Sequence, residues 1–296
     1  MRLLIQPDDS VGPVLEAIEN ARHTIDMYIF RLEYPKIERA LEDAVKRGVE
    51  VRTLIAHTRT GGEDGLRKLE LRLLGMGATV SRTDEDLLRY HGKMMIVDRA
   101  TLYVLGYNFT RRDIDKSRSL GIATEQVDHV TEAIRLFEAD FNRRVYTPGL
   151  ETFVVSPLNS RAALLKLIEG ARQELLIYDA RLTDNMIQRA IEKTALSGVD
   201  VRVIGKVEKN LDRVRWEKYP GEKLHVRAIV QDRRTAFVGS QSLRRAELDR
   251  RREIGVVVDD REVVERIVET FYKDWSATGN GETREEMPPE LPAFAG

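Results

Sequence analysis

Apolar residues recur along this chain with two periods, and the alternation between those periods is written twice. Thr24-Ile25-Asp26-Met27-Tyr28-Ile29-Phe30 reads as a strand, and so does Glu174-Leu175-Leu176-Ile177-Tyr178. Over residues 35–47 the positions Ile37, Ala40, Leu41, Ala44 and Val45 fall at helical spacing, and Gly48 supplies a stop. Residues 184–196 do the same ahead of Gly198. Strands follow at 49–55 and 199–204. Strand, helix, strand with a short turn is a βαβ unit, so part of each sheet is parallel. Later segments read as hairpins turning at Asp98-Arg99-Ala100 and Asp232-Arg233-Arg234. Each half closes with a helix, 128–141 and 261–275.

Subtraction makes the repeat explicit. Ile18-Glu19-Asn20-Ala21-Arg22 matches Ile168-Glu169-Gly170-Ala171-Arg172 at an offset of 150, as Pro7 matches Pro157 and Gly48 matches Gly198. Beyond His91 and His225 the offset is 134, so Gly121 falls on Gly255, Phe137 on Phe271 and Asp140 on Asp274. The first half therefore carries 16 more residues, between about His57 and Tyr90, with a helix at 64–74 and a turn at Gly75-Met76-Gly77. This is one duplicated unit, not a short-period solenoid. The reading is an α/β chain with lobes over 1–147 and 150–276 and a mobile tail at 279–296.

Composition narrows the class. A chain of 296 residues that is 42% hydrophobic suffices for two cores. It has no cysteine, which excludes disulfides and thiolate metal sites and fits a reducing compartment. Net charge is −1, not the balance of a bulk polyanion binder. No apolar run approaches the roughly 18 residues of a membrane span, and the start is too short for a signal peptide. The expected location is the cytoplasm, with peripheral contact at a membrane left open.

Two segments carry the candidate chemistry. His91-Gly92-Lys93-Met94-Met95-Ile96-Val97-Asp98 is followed by Gly106-Tyr107-Asn108, and His225-Val226-Arg227-Ala228-Ile229-Val230-Gln231-Asp232 by Ser240-Gln241-Ser242. In a strand, residues two apart share a face, which would gather His91, Lys93, Gly106 and Asn108, and likewise His225, Arg227, Ser240 and Ser242. Imidazoles, fixed cations and neutral donors are what transfer at a phosphodiester needs. Cations and donors hold the non-bridging oxygens, while histidine can attack or move a proton near neutral pH. Asp98 and Asp232 lie at odd spacing from their histidines and read as structural, by turn capping or ion pairing. Lone His23, His57 and His129 read as surface or core residues. Arg244-Arg245 and Arg250-Arg251-Arg252, with Arg111-Arg112 in the first half, read as a solvated face or as an electropositive rim. Trp216, Tyr219 and Pro220 are candidates for the cleft mouth or for core packing.

These segments resemble the signature of the phospholipase D superfamily, His-x-Lys-x4-Asp followed by Gly-Ser-x-Asn, present twice. The resemblance extends over about residues 1–276 and includes the segments at Gly48-Val49-Glu50-Val51-Arg52 and Gly198-Val199-Asp200-Val201-Arg202. It implies two similar αβα-sandwich lobes with mixed sheets related by a pseudo-twofold axis, in a monomer with pseudo-dimeric lobes. Both histidines would meet in one cleft, needing no metal and no cofactor. It implies His91 as nucleophile and His225 as general acid and base. Phosphate would be bound by Lys93, Asn108, Arg227, Ser240 and Ser242, and Glu253 would orient His225. Ser119 stands where the repeat calls for a second such acid, and Asp113 or Asp115 could supply one to His91. Gly106 replaces a serine, Leu105 a glycine, Arg227 a lysine and Ser242 an asparagine; arginine keeps the charge but not the shape. Three readings follow. The first is a metal-independent phosphodiesterase or phosphatidyltransferase acting through a phosphohistidine on phospholipids. The second is a nuclease using the same site on DNA or RNA. The third is a phosphate-binding pseudoenzyme with a decayed site.

Overall fold

The computed structural model of the chain describes residues 1–57, 63–208 and 211–278; the tail expected at 279–296 lies outside them. Two sheets run in the same order. The first follows Arg2–Gln6, Ser117–Thr124, Thr101–Leu105, Met94–Val97, Thr24–Ile29, Glu50–Ile55 and Thr79–Arg82. The second follows Phe153–Val155, Ile254–Val258, Thr235–Gly239, Arg227–Gln231, Glu174–Leu182, Asp200–Val207 and Val214–Glu217. In each, the last two pairings are parallel and the rest of the path antiparallel. The expected mixed α/β duplication is therefore present. The extra residues of the first half form the helix Glu63–Gly75 and lead into edge strand Thr79–Arg82, whereas Val214–Glu217 takes that edge without a helix.

The strands read as nearly continuous apolar runs because both faces are covered. Met27, Met95 and Val97 face an outer core shared with helices Gly12–Asn20, Pro35–Lys46 and Glu63–Gly75. Tyr28, Met94 and Ile96 face the opposite way, into a core that takes residues from both halves. The closing helices Val127–Phe141 and Arg261–Ser276 contribute Phe137, Phe271 and Trp275 to that shared core. Ser160–Gly170 and Asn185–Leu196 cover the outer face of the second sheet.

Both hairpins turn where expected, and the turns explain the two structural aspartates. Asp98 and Arg99 have φ of 52° and 52°, Asp232 and Arg233 of 50° and 54°, the left-handed pair of a type I′ turn. Asparagine or glycine usually occupies such sites. Here each carboxylate accepts three backbone N–H groups: Arg22, His23 and Thr24 on Asp98, and Arg172, Gln173 and Glu174 on Asp232. The bonds to His23 and Gln173 are both 2.7 Å long. Each aspartate thus ties its hairpin to the start of the neighbouring central strand.

The halves are locked together by a reciprocal exchange. Arg252 of the second half reaches Asp140 of the first, with Nε 2.9 Å from Oδ2, and Tyr28 donates its hydroxyl to the same carboxylate. Arg118 of the first half reaches Asp274 of the second at 3.1 Å, and Tyr178 donates to that carboxylate at 2.7 Å. All six residues are buried. The Arg250-Arg251-Arg252 run is thus not one solvated face, because Arg252 is an interior residue. Burial raises both aspartates, against the pull of their arginines. Such pairs add little net stability, but removing one partner strands a buried charge. Arg252→Ala and Arg118→Ala are therefore each expected to destabilise the chain by about 3–5 kcal/mol in urea unfolding. A loss under about 1 kcal/mol in both variants would show that the exchange does not hold the halves together.

Candidate active site

The histidines are positioned by strands that cross between the halves, not by their own hairpins. The expected strand from His91 to Val97 begins only at Met94, and its counterpart begins at Arg227. His91 follows the short strand Arg89–Tyr90, which pairs with Arg251–Arg252 of the second half. His225 follows Lys223–Leu224, which pairs with Ser117–Arg118 of the first. The backbone N–H of His91 donates to the Arg252 carbonyl at 2.7 Å, and that of His225 to the Arg118 carbonyl at 2.9 Å. Residues 91 and 225, like 118 and 252, are 134 apart, so the pseudo-twofold relation reaches the site itself.

This crossing corrects the expected pairing of acids. Glu253 does not face His225. It follows the strand beside His91, and its carboxylate lies 3.0 and 2.9 Å from His91 Nδ1. His225 is faced by Asp113, with Oδ2 3.3 Å from Nδ1. Asp113 was a candidate for His91; the crossing gives it to the other histidine. Lys223 bonds Asp113 Oδ1 at 2.8 Å, and the Asn108 amide bonds Oδ2 at 2.7 Å, so the acid is held from three sides. Asp115 instead accepts the Tyr34 hydroxyl.

The expected phosphate ligands divide. Lys93 Nζ lies 2.9 and 3.1 Å from the two ring nitrogens of His91. Arg227 donates to the His225 carbonyl at 2.6 Å, and its Nε has no partner. Asn108 has one amide N–H committed to Asp113, and its Oδ1 is unpartnered. Ser240 and Ser242 depart from expectation. The Ser242 hydroxyl donates to Asp179, 2.8 Å from Oδ1, so its only proton is used inside the second half. Ser240 accepts the Ile254 N–H and bonds the Glu253 carboxylate, which makes it a support of that acid. Gly106, at the serine's position in the first half, has a reason. A Cβ there would stand 2.7 Å from the Leu120 carbonyl and 3.0 Å from that of Gly239, where the two backbones meet.

Electrostatics couple the two halves of the site. Burial first, then Lys93, Arg227, Arg251 and Arg89, hold the His91 imidazole well below its ordinary pKa. Burial and Arg227 push His225 down to about 3, against the pull of Asp113, with Lys93 adding to the drop. Lys93 acts on His225 and Arg227 on His91, so each cation reaches the opposite histidine through one low-dielectric region. Burial also pushes the Lys93 ammonium down to about 7 and raises Glu253. Both imidazoles are therefore neutral near pH 7.

Sequence reasoning missed several neighbours. Asp179 is fully buried and faces an isoleucine position in the repeat, so no symmetry announced it. Arg89 and Arg251 act on His91, yet only a charge run pointed to Arg251 and nothing in the sequence pointed to Arg89. Trp216 packs in the outer core of the second half rather than at the cleft, and Tyr219 packs against the shared core near Arg118. A cavity of about 520 Å³ lined by Met1, His129, Thr152 and Asp259 contains none of these groups. Among the described residues, no cluster of three His, Asp or Glu side chains is arranged to hold a metal ion, and no helix is long and apolar enough to cross a membrane.

Comparison with known proteins agrees with this architecture. The family model described as "Cardiolipin synthase, PLD-like domain" matches residues 14–144 and 164–275. Cardiolipin synthase A of Yersinia pseudotuberculosis is 22% identical over 327 aligned positions, covering 88% of this chain and 66% of that protein. Mitochondrial cardiolipin hydrolase of Mus musculus is 29% identical over 136 residues, 46% of this chain and 58% of that one. The chain thus spans less than two thirds of either relative. Polyphosphate kinase of Porphyromonas gingivalis shares the fold, with a TM-score of 0.76 at 18% identity over 91% of this chain and 49% of its own. Matched by the family model in both halves, and built as two like sheets joined by a reciprocal crossing, the chain belongs to the phospholipase D superfamily, in the group described by the cardiolipin synthase PLD-like domain.

Proposed function

We propose that the chain is a phosphodiesterase or phosphatidyltransferase that works through a phosphohistidine and takes phospholipids as its substrate class. One observation carries the reading: each imidazole has a carboxylate from the opposite half beside its Nδ1, Glu253 on His91 and Asp113 on His225. A decayed site has no cause to retain both. Relatives named for cardiolipin support the lipid choice.

In this mechanism Glu253 accepts the Nδ1 proton of His91 and leaves the Nε2 lone pair for phosphorus. Neutral His91 attacks, the Nε2–P bond forms, and the P–O bond to the leaving alcohol breaks. Imidazolium His225 gives its proton to that departing oxygen. His225 is neutral in the free chain; an anionic diester arriving beside Lys93 and Arg227 offsets their charge and lets His225 take a proton, with Asp113 supporting the imidazolium. Neutral His225 then accepts a proton from water or an acceptor alcohol. That oxygen attacks phosphorus, the P–N bond breaks, and its electrons return to His91. Lys93, Arg227 and the Asn108 amide would hold the non-bridging oxygens.

His91→Ala is expected to abolish turnover of bis-(p-nitrophenyl) phosphate. In His225→Ala, p-nitrophenolate leaves without an acid, so the first step survives and an adduct accumulates. Mass spectrometry should find one p-nitrophenylphosphoryl group on His91; an adduct elsewhere, or none with turnover intact, contradicts the proposal. Asp113→Asn should lower kcat by about 10²-fold or more with an alkyl leaving group and by less with p-nitrophenolate. Equal losses would show that Asp113 is not supporting the acid. With bis-(p-nitrophenyl) phosphate, whose leaving group needs no acid, kcat/KM reports the free enzyme and should fall as pH rises through about 7, where Lys93 loses its proton; Lys93→Arg should move that limb upward. Preference for single-stranded DNA over phosphatidylcholine would transfer the same chemistry to the nuclease reading.

A further inference from the structure

The cleft carries more cations than one diester needs, and they are gathered on one side. Arg244 and Arg251 both bond a single oxygen of Glu247, the latter at 2.9 Å. Arg251 also stands 4.0 Å from Glu253. Arg89 packs on the Phe30 ring, 5.6 Å from its centroid, and among the described residues no carboxylate lies within ion-pair distance of it. The Nε atoms of Arg89, Arg227, Arg244 and Arg251 are all buried without a hydrogen-bond partner. Unmet buried guanidinium donors are costly unless a ligand supplies acceptors.

The pseudo-twofold relation shows that this excess is not inherited from the repeat. At the 134 offset, Arg244 corresponds to Thr110 and Arg251 to Ser117, which carry no charge. Arg89 corresponds to Lys223, which is neutralised by Asp113 at 2.8 Å. Counted together, Lys93, Lys223, Arg89, Arg227, Arg244 and Arg251 face Asp113, Asp179, Glu247 and Glu253. With both imidazoles neutral and Lys93 protonated, about two positive charges remain, and one diester neutralises one of them.

We propose that the cleft contains a second phosphate subsite built from Arg89, Arg244 and Arg251, so that the substrate is a diester bearing another phosphate nearby. This rests on the reading of the histidine centre as a diester site. The phosphate oxygens satisfy the arginine donors that Glu247 and Phe30 leave unmet, and the asymmetry fixes which way round the substrate lies across the pseudo-twofold axis.

Calorimetry on the full chain with orthophosphate, pyrophosphate and tripolyphosphate tests the subsite without requiring turnover. One of the condensed phosphates should bind at least tenfold more tightly than orthophosphate. Arg89→Ala and Arg244→Ala should each shrink that ratio at least threefold, while Arg39→Ala, on an exposed helix face, should leave it unaltered. Equal affinities in the unmodified chain, or a ratio untouched by both arginine variants, overturns the proposal. Substrate arms then identify the scaffold. Thymidine 5′-(p-nitrophenyl phosphate) is compared with its 3′-phosphorylated form, and short-chain phosphatidylglycerol with the same lipid phosphorylated on its head group. Higher kcat/KM for the phosphorylated member of either pair supports the subsite. No preference in both, with turnover present and lost in His91→Ala, removes the second phosphate and leaves the histidine reading standing.

Discussion

Everything at the centre of this molecule depends on Arg252 and Arg118 crossing into the opposite half to meet Asp140 and Asp274. Each arginine sits at the end of a strand that also supplies the carbonyl holding a histidine. Docking and active-site assembly are therefore one event. Neither half holds a complete histidine–acid pair by itself, because the acid always comes from the other side. The ion pairs are buried and costly to desolvate, so what they contribute is register more than stability. A slip of one residue in either crossing strand would turn Glu253 or the histidine away from the cleft.

The crossing also sets the electrostatic character of the site. Lys93 and Arg227 stand beside imidazoles that stay neutral first because burial strips their solvation and then because a further positive charge would repel these cations. Neutral histidine is the form that can attack phosphorus. Glu253 at His91 Nδ1 orients that ring, and Asp113 stands 3.3 Å from His225 Nδ1. Buried donors without protein partners lower stability, a cost commonly found where a ligand completes the network.

The departures from symmetry are then intelligible as a set. Ser240 supports Glu253, and where the first half has Ser119 instead of that acid, its counterpart Gly106 needs no hydroxyl and fits a close backbone approach. Asp113 supplies the missing acid from six residues earlier, and Asn108 is turned to brace it. In the second half Ser242 serves Asp179 rather than the cleft. Side chains that depart from the repeat thus brace carboxylates of their own half.

Local pattern was enough for the two βαβ units, the hairpins at Asp98 and Asp232, and the closing helices. Each follows from periodicity or from spacing within some thirty residues, which backbone geometry converts directly into shape. The sequence could also show that Ser119 leaves one acid unaccounted for. It could not show that Glu253 serves His91 and Asp113 serves His225, that Ser242 is occupied by Asp179, or that Arg252 is interior while Arg244 and Arg251 share Glu247. Those outcomes are decided by contacts between residues a hundred or more positions apart. They arise only when two covered sheets bury a common core and their strand ends must satisfy each other's backbone and charge.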